Sequence, residues 1–219
     1  MTTHPMPVQL FEFPVQIPCE SVTLEGIMKI TTEASGIVLF AHGSGSSRLS
    51  PRNTFVAKAL EERGIATLLF DLLTEEEDQT YENRFNIDLL TERLATATEW
   101  VKTDKKTKQL NVGYFGASTG AAAALKAAAR LGNKIFAVVS RGGRPDLVSK
   151  EELQKVISPT LLIVGGDDTE VIELNRSAYE YISAPKELAI VPDATHLFEE
   201  PGMLEEVARL AAEWFIKYL

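Results

Sequence analysis

Six short apolar runs punctuate the chain, most of them ending in glycine or polar residues: GIVLFAHG (36–43), IATLLFDLL (65–73), LNVGYFGAS (110–118), KIFAVVSRGG (134–143), TLLIVGGDD (160–168) and ELAIVPDATH (187–196). Runs of this length suit strands buried on both faces, where alternation disappears because neither side meets water. Between them the period changes. Phe55, Val56, Ala59 and Leu60 share one face of 51–64, with Pro51 at the start and Gly64 at the end, which predicts a helix. Ile87, Leu90, Leu94, Ala97 and Val101 give 86–102 the same spacing. Helices are also predicted over 119–131, 150–156, 171–182 and 203–219. The last carries Leu204, Val207, Ala208, Ala211, Trp214, Phe215 and Tyr218 on one stripe.

The first part of the chain reads differently. Pro5, Pro7, Pro14 and Pro18 predict an extended lead-in with the character of an edge strand. VTLEGIMKI (22–30) follows as a strand weakened by Gly26, and TEEEDQTYENRF (74–85) is expected to be a polar loop. Alternating strands and helices predict an α/β fold, a mostly parallel central sheet with helices on both faces. No internal repeat or interdomain linker interrupts it. One domain over 1–219 is expected, with 1–20 as its lead-in.

Composition narrows the partners. The 219 residues are 45% hydrophobic and 24% charged, with a net charge of −9. An acidic chain gains little from phosphate backbones, so no nucleic-acid partner is expected. The densest basic run, KTDKKTK (102–108), reads as a solvated helix end and loop. No apolar run is long enough to span a bilayer, and the N-terminus lacks the pattern of a signal peptide. No membrane partner and a cytoplasmic location are the expectations. The one cysteine, Cys19, lies far from the other motifs and reads as structural, and no Cys/His cluster suggests zinc.

One motif carries chemistry. GASTG (116–120) ends the third buried run and opens an alanine-rich helix. A serine in G-x-S-x-G between strand and helix sits on a sharp, strained turn that pushes its oxygen outward. The turn crowds residues two before and two after it, and glycine at 116 and 120 relieves the collision. The helix start supplies unpaired N–H groups, among them that of Thr119, which suits an oxyanion.

A serine hydroxyl needs a base, and the base needs an orienting acid. The chain has three histidines. His4 lies in the proline-rich lead-in and His42 ends a strand. His196, just past the last strand, is the natural base. Asp167 and Asp168 end the fifth buried run, and successive residues point apart, so one of the two is expected to reach His196. The order serine, aspartate, histidine is a known order for this constellation.

The chain resembles the α/β-hydrolases, nearest the dienelactone-hydrolase-like branch. The resemblance spans about residues 20–219 and rests on HGSGSS (42–47), GASTG (116–120), GGDDTEV (165–171) and PDATHLF (192–198). The family places its acid in G-x-x-D-x-x-V, which selects Asp168 over Asp167. Its HG-x-x loop supplies a second oxyanion N–H, here that of Ser44, and implies a structural His42. HGSGSS lacks the Lys-Ser/Thr of a phosphate-binding P-loop. Dienelactone hydrolases carry cysteine at the nucleophile position, so Ser118 is a departure, and activity on dienelactone does not follow. Similar domains also occur joined to phosphoribosyltransferase domains, which are not expected here.

The expected activity is hydrolysis of small ester or thioester substrates by Ser118, His196 and Asp168 through an acyl-enzyme, with no cofactor and no metal. Residues 73–85 and 140–150 are expected to flank a small open pocket, too short for a large cap. Arg141 and Arg144 either hold a substrate carboxylate or phosphate or pair with the acidic run EEED (75–78), itself expected to be solvated. Two alternatives stay open: a thioesterase or acyltransferase, and a non-catalytic binding or regulatory module on the same shell. Acyl length and oligomeric state are not legible; the aromatic last helix suits a core or a dimer seam.

Overall fold

The structure is a computed structural model describing residues 9–219. His4, Pro5 and Pro7 therefore lie outside the described residues. Eight strands form one sheet in the order β1-β2-β4-β3-β5-β6-β7-β8. They are β1 (Leu10–Cys19), β2 (Val22–Thr31), β3 (Gly36–Ala41), β4 (Ala66–Phe70), β5 (Asn111–Ala117), β6 (Ile135–Arg141), β7 (Thr160–Gly165) and β8 (Lys186–Val191). β1 and β2 form an antiparallel hairpin, and β2 runs antiparallel to β4. From β4 to β8 every pairing is parallel.

The helices are α1 (Pro51–Glu61), α2 (Glu75–Asp78), α3 (Ile87–Thr103), α4 (Thr119–Leu131), α5 (Lys150–Leu153), α6 (Thr169–Tyr181) and α7 (Met203–Tyr218). The pleat of the central strands divides the core in two. In β3, Ile37, Leu39 and Ala41 face α3 and α4, whereas Val38 and Phe40 face α1 and α7. α4 buries alanines 121–124 completely, because small side chains let it lie close to the sheet. α7 closes the opposite face with Trp214 and Phe215 buried. A Cβ on Gly113 would stand 2.8 Å from the Phe215 ring, so the bare backbone there is what seats that ring.

The proline-rich lead-in is an edge strand from Leu10 onward, and Pro14 and Pro18 are tolerated because one side of β1 has no neighbour. The stretch 74–85 differs from the expected loop. Thr74 caps α2 in a reciprocal box with Glu77, and a 3-10 turn covers Tyr81–Phe85. Its acidic run is not merely solvated. Glu77 accepts a hydrogen bond of 2.6 Å from Arg93, a largely buried arginine of α3 that also donates to the Cys19 sulfur at 2.9 Å. Asp78 takes a two-pronged contact from Arg84. The buried Cys19 is thus a structural acceptor joining β1, α2 and α3.

Candidate active site

The carboxyl ends of the parallel strands converge on one rim, where open α/β sheets gather their chemistry. At the end of β5 the chain turns through Ser118, whose φ of 51° and ψ of −120° lie where L-residues rarely go. Three backbone hydrogen bonds hold this conformation. The Ser118 N–H donates to the Arg141 carbonyl at 3.2 Å, and the Ser118 carbonyl accepts from the N–H groups of Ala121 (3.0 Å) and Arg144 (3.2 Å). The flanking glycines are forced. A Cβ on Gly116 would sit 2.4 Å from the Ala121 Cα, and one on Gly120 would sit 2.1 Å from the Ala41 carbonyl oxygen of β3. Ser118 stands at the N-cap position of α4, yet its hydroxyl makes no cap bond, leaving the first turn of the helix uncapped by a side chain.

The loop after β3 lies against this turn. A Cβ on Gly43 would stand 3.1 Å from the Ser118 Cβ, so glycine lets the two backbones approach. His42 anchors the loop from behind. Its Nε2 accepts the Leu72 N–H at 3.0 Å, which leaves the proton on Nδ1 to donate to the Gly43 carbonyl at 3.0 Å. Burial pushes the His42 pKa below its ordinary value. With both nitrogens engaged, this ring has none left to serve as a base.

The acid and base come from the loops after β7 and β8. Asp168 precedes α6 and His196 follows β8. The Asp168 Oδ2 and His196 Nδ1 are 2.6 Å apart. Asp167 beside it is exposed, and its N–H is tied to the Ala194 carbonyl at 3.0 Å. Gly165 permits this arrangement, since a Cβ there would stand 2.4 Å from the Ala194 carbonyl oxygen. Gly142, at φ 51°, backs the imidazole; a Cβ on it would meet the His196 Cε1 at 3.3 Å.

Ser118 and His196 line one cleft of about 230 Å³, shared with Gly43, Ser44 and Arg141. Among the described residues no hydrogen bond joins the Ser118 hydroxyl to His196; such bonds often tighten only when substrate binds. Two parts of the cleft were not legible in the sequence. Its far wall is the start of α1, with Ser50, Arg52 and Asn53, rather than residues 73–85. Residues 73–85 instead line a small void of about 10 Å³ behind the HGSG loop, through Leu73, Asp78 and Arg84. Asn175 of α6, fully buried, donates to the Gly143 carbonyl at 3.0 Å and so braces the loop after β6. Nothing in the sequence of α6 marks Asn175 for that role.

The two arginines separate. Arg144 is partly exposed and engages Asp146 through two bonds of 2.7 and 2.8 Å. Arg141 is 6% exposed and faces the cleft. Neither pairs with the acidic run 75–78. Among the described residues no three His, Cys, Asp or Glu side chains are grouped to hold a metal, and no helix is long and apolar enough to cross a membrane.

A doubly covered parallel sheet with a strained serine turn and an aspartate–histidine pair at one rim is the architecture of the α/β-hydrolases. The family model described as an alpha/beta hydrolase domain matches residues 34–210, and the chain belongs to that family. It is similar to a dienelactone hydrolase from Anabaena variabilis, at 54% identity and a TM-score of 0.94, over 96% of this chain and 99% of that one. Est1E from Butyrivibrio proteoclasticus, also solved with ferulic acid bound, shares the fold at 16% identity and a TM-score of 0.80, over 93% of this chain and 98% of that one. Two Mycobacterium tuberculosis proteins that carry a phosphoribosyl transferase name are 55% identical over 205 residues, or 94% of this chain. The match covers only 46% of those proteins, so the chain spans about half the length of these relatives.

Proposed function

We propose that the chain is a serine hydrolase of small esters or thioesters, with Ser118 as nucleophile, His196 as base and Asp168 as its orienting acid. The observation that carries this reading is the 2.6 Å Asp168–His196 contact opening on the same cleft as a serine held at positive φ. Ser118 Oγ attacks the acyl carbon as its proton passes to His196 Nε2. The tetrahedral intermediate collapses, the bond to the leaving oxygen or sulfur breaks, and His196 returns the proton to that atom. Water then attacks the acyl-enzyme in the same way, giving the free acid and restoring the Ser118 hydroxyl. Asp168, bonded at Nδ1, keeps the free electron pair on Nε2 and stabilises the imidazolium. The N–H groups of Ser44 and Thr119 are assigned to the oxyanion. One such donor lowers the barrier by about 3–4 kcal/mol.

Relatives of the same fold support an ester as substrate, namely the dienelactone hydrolase of Anabaena variabilis and the ferulic acid complex of Est1E. The open cleft suits short acyl groups. A fluorophosphonate probe tests the reading: it should label Ser118 and leave Ser118→Ala untouched, while a matched panel of esters and thioesters ranks the leaving groups. A folded protein that takes no label would instead favour a binding module on a hydrolase shell.

A further inference from the structure

Arg141 is the strand neighbour of the serine turn, in register with Ala117. Its guanidinium is buried at the cleft wall with little to satisfy it. The Nε is buried without a partner, one terminal nitrogen reaches Asn53 Oδ1 at a long 3.5 Å, and the plane lies 6.0 Å from the Phe198 ring centre. No acidic side chain pairs with it among the described residues. In the same cleft stands a second cation, Arg52, whose Nε is also buried and unpartnered. Its outer nitrogen contacts Glu199 at 2.8 Å, a carboxylate 62% exposed and strongly screened by water. Burial and the repulsion of Arg52 push the Arg141 pKa down to about 10, so Arg141 remains cationic at neutral pH. Both arginines and the first turn of α1, an eleven-residue helix, meet on this wall, with Ser46 and Ser50 beside them. A buried charge left unpaired is costly, and here the missing counter-charge faces the cleft that Ser118 lines.

We propose that Arg141 and Arg52 form an oxyanion-group subsite that holds a phosphate-class dianion carried by the substrate. The proposal rests on the hydrolase reading for its substrate but not for its binding test. The charge count selects the dianion. A carboxylate neutralises one guanidinium, whereas a phosphoryl group offers three oxygens and two charges to two guanidiniums. The chain as a whole is acidic, with a net charge of −9, so bulk attraction does not account for phosphate affinity.

Two measurements test this on the intact chain. In calorimetry, inorganic phosphate should bind the wild type with unit stoichiometry, and Arg141→Met and Arg52→Met should each weaken it by about tenfold or more. Arg144→Met, whose side chain is occupied by Asp146, should leave binding unchanged. In turnover, three 4-nitrophenyl esters of similar reach are compared: 3-phosphonopropionyl, succinyl and pentanoyl. The phosphonate should be preferred in kcat/KM, and Arg141→Met should lower the phosphonate-to-pentanoyl ratio by about tenfold or more. A succinyl ester preferred over the phosphonate overturns the dianion assignment. Wild type that neither binds phosphate nor is protected by it from fluorophosphonate labelling overturns the subsite, even if an arginine variant fails to fold. Phosphate binding by a protein that turns over no ester and takes no label sinks the hydrolase reading and leaves the subsite standing.

Discussion

Two loops at the same rim each present a histidine just past a strand, and their fates are opposite. His42, after β3, is buried, with one nitrogen accepting the Leu72 N–H and the other donating to Gly43. His196, after β8, is only partly covered, with one nitrogen held by Asp168 and the ring edge against Gly142. The residue type is the same, and both rings follow the carboxyl end of a parallel strand. What differs is how many ring atoms the fold consumes. A ring bonded at both ends braces a loop, whereas a ring bonded at one end keeps a lone pair for chemistry.

His196→Ala breaks the comparison most deeply. Activity on an activated ester should fall by roughly a thousandfold or more while the melting temperature stays close to wild type, because a half-exposed ring carries little packing. Asp168→Asn follows from the same contact. It should cost about a hundred- to ten-thousandfold in kcat/KM, and Asp167→Asn should stay within about twofold. Equal losses in the two variants would show that the acid had been misassigned.

His42→Ala should invert that pattern. It strands the Leu72 N–H in a buried place, which costs about 1–3 kcal/mol of stability, measured by urea unfolding. Activity should fall less than for His196→Ala, since the Ser44 loop loses its brace and no reacting group. A His42 variant that unfolds like wild type yet is inactive would reverse the roles given to the two rings.

The sheet was legible because its parallel strands announce themselves as apolar runs; five of them are buried on both faces, whereas β8, expected to be buried likewise, is an edge strand with Ile190 exposed, since its far side has no neighbour. The serine turn was legible for a steric reason: Gly116 and Gly120 are positions that nothing larger fits. The choice of Asp168 needed the family's pattern, because two adjacent aspartates look alike until the backbone directs one inward. The α1 wall was missed since Arg52 and Asn53 read as an ordinary polar helix start, and the cleft they complete joins segments about ninety residues apart in sequence, Asn53 and Arg141 being 88 apart. The acidic run was misjudged because composition cannot tell a solvated glutamate from Glu77, whose partner Arg93 is a turn deep in another helix.

The smallest effect concerns acid. His42 has its pKa lowered in the fold, so the unfolded chain takes up a proton there more readily than the native one. Stability from this group is therefore fully present above about pH 6.5, the ordinary histidine value, and drains away as pH falls from there toward the lower native value. The slope is at most about 1.4 kcal/mol per pH unit for one proton. Other groups also titrate on acidification, so the informative quantity is a difference. Unfolding free energies of wild type and His42→Gln, compared between about pH 7 and 5, should converge as pH falls, since the variant has no ring to protonate. Parallel curves would mean that burial does not hold His42 neutral, and the contrast between the buried ring and the partly exposed one would lose its physical basis.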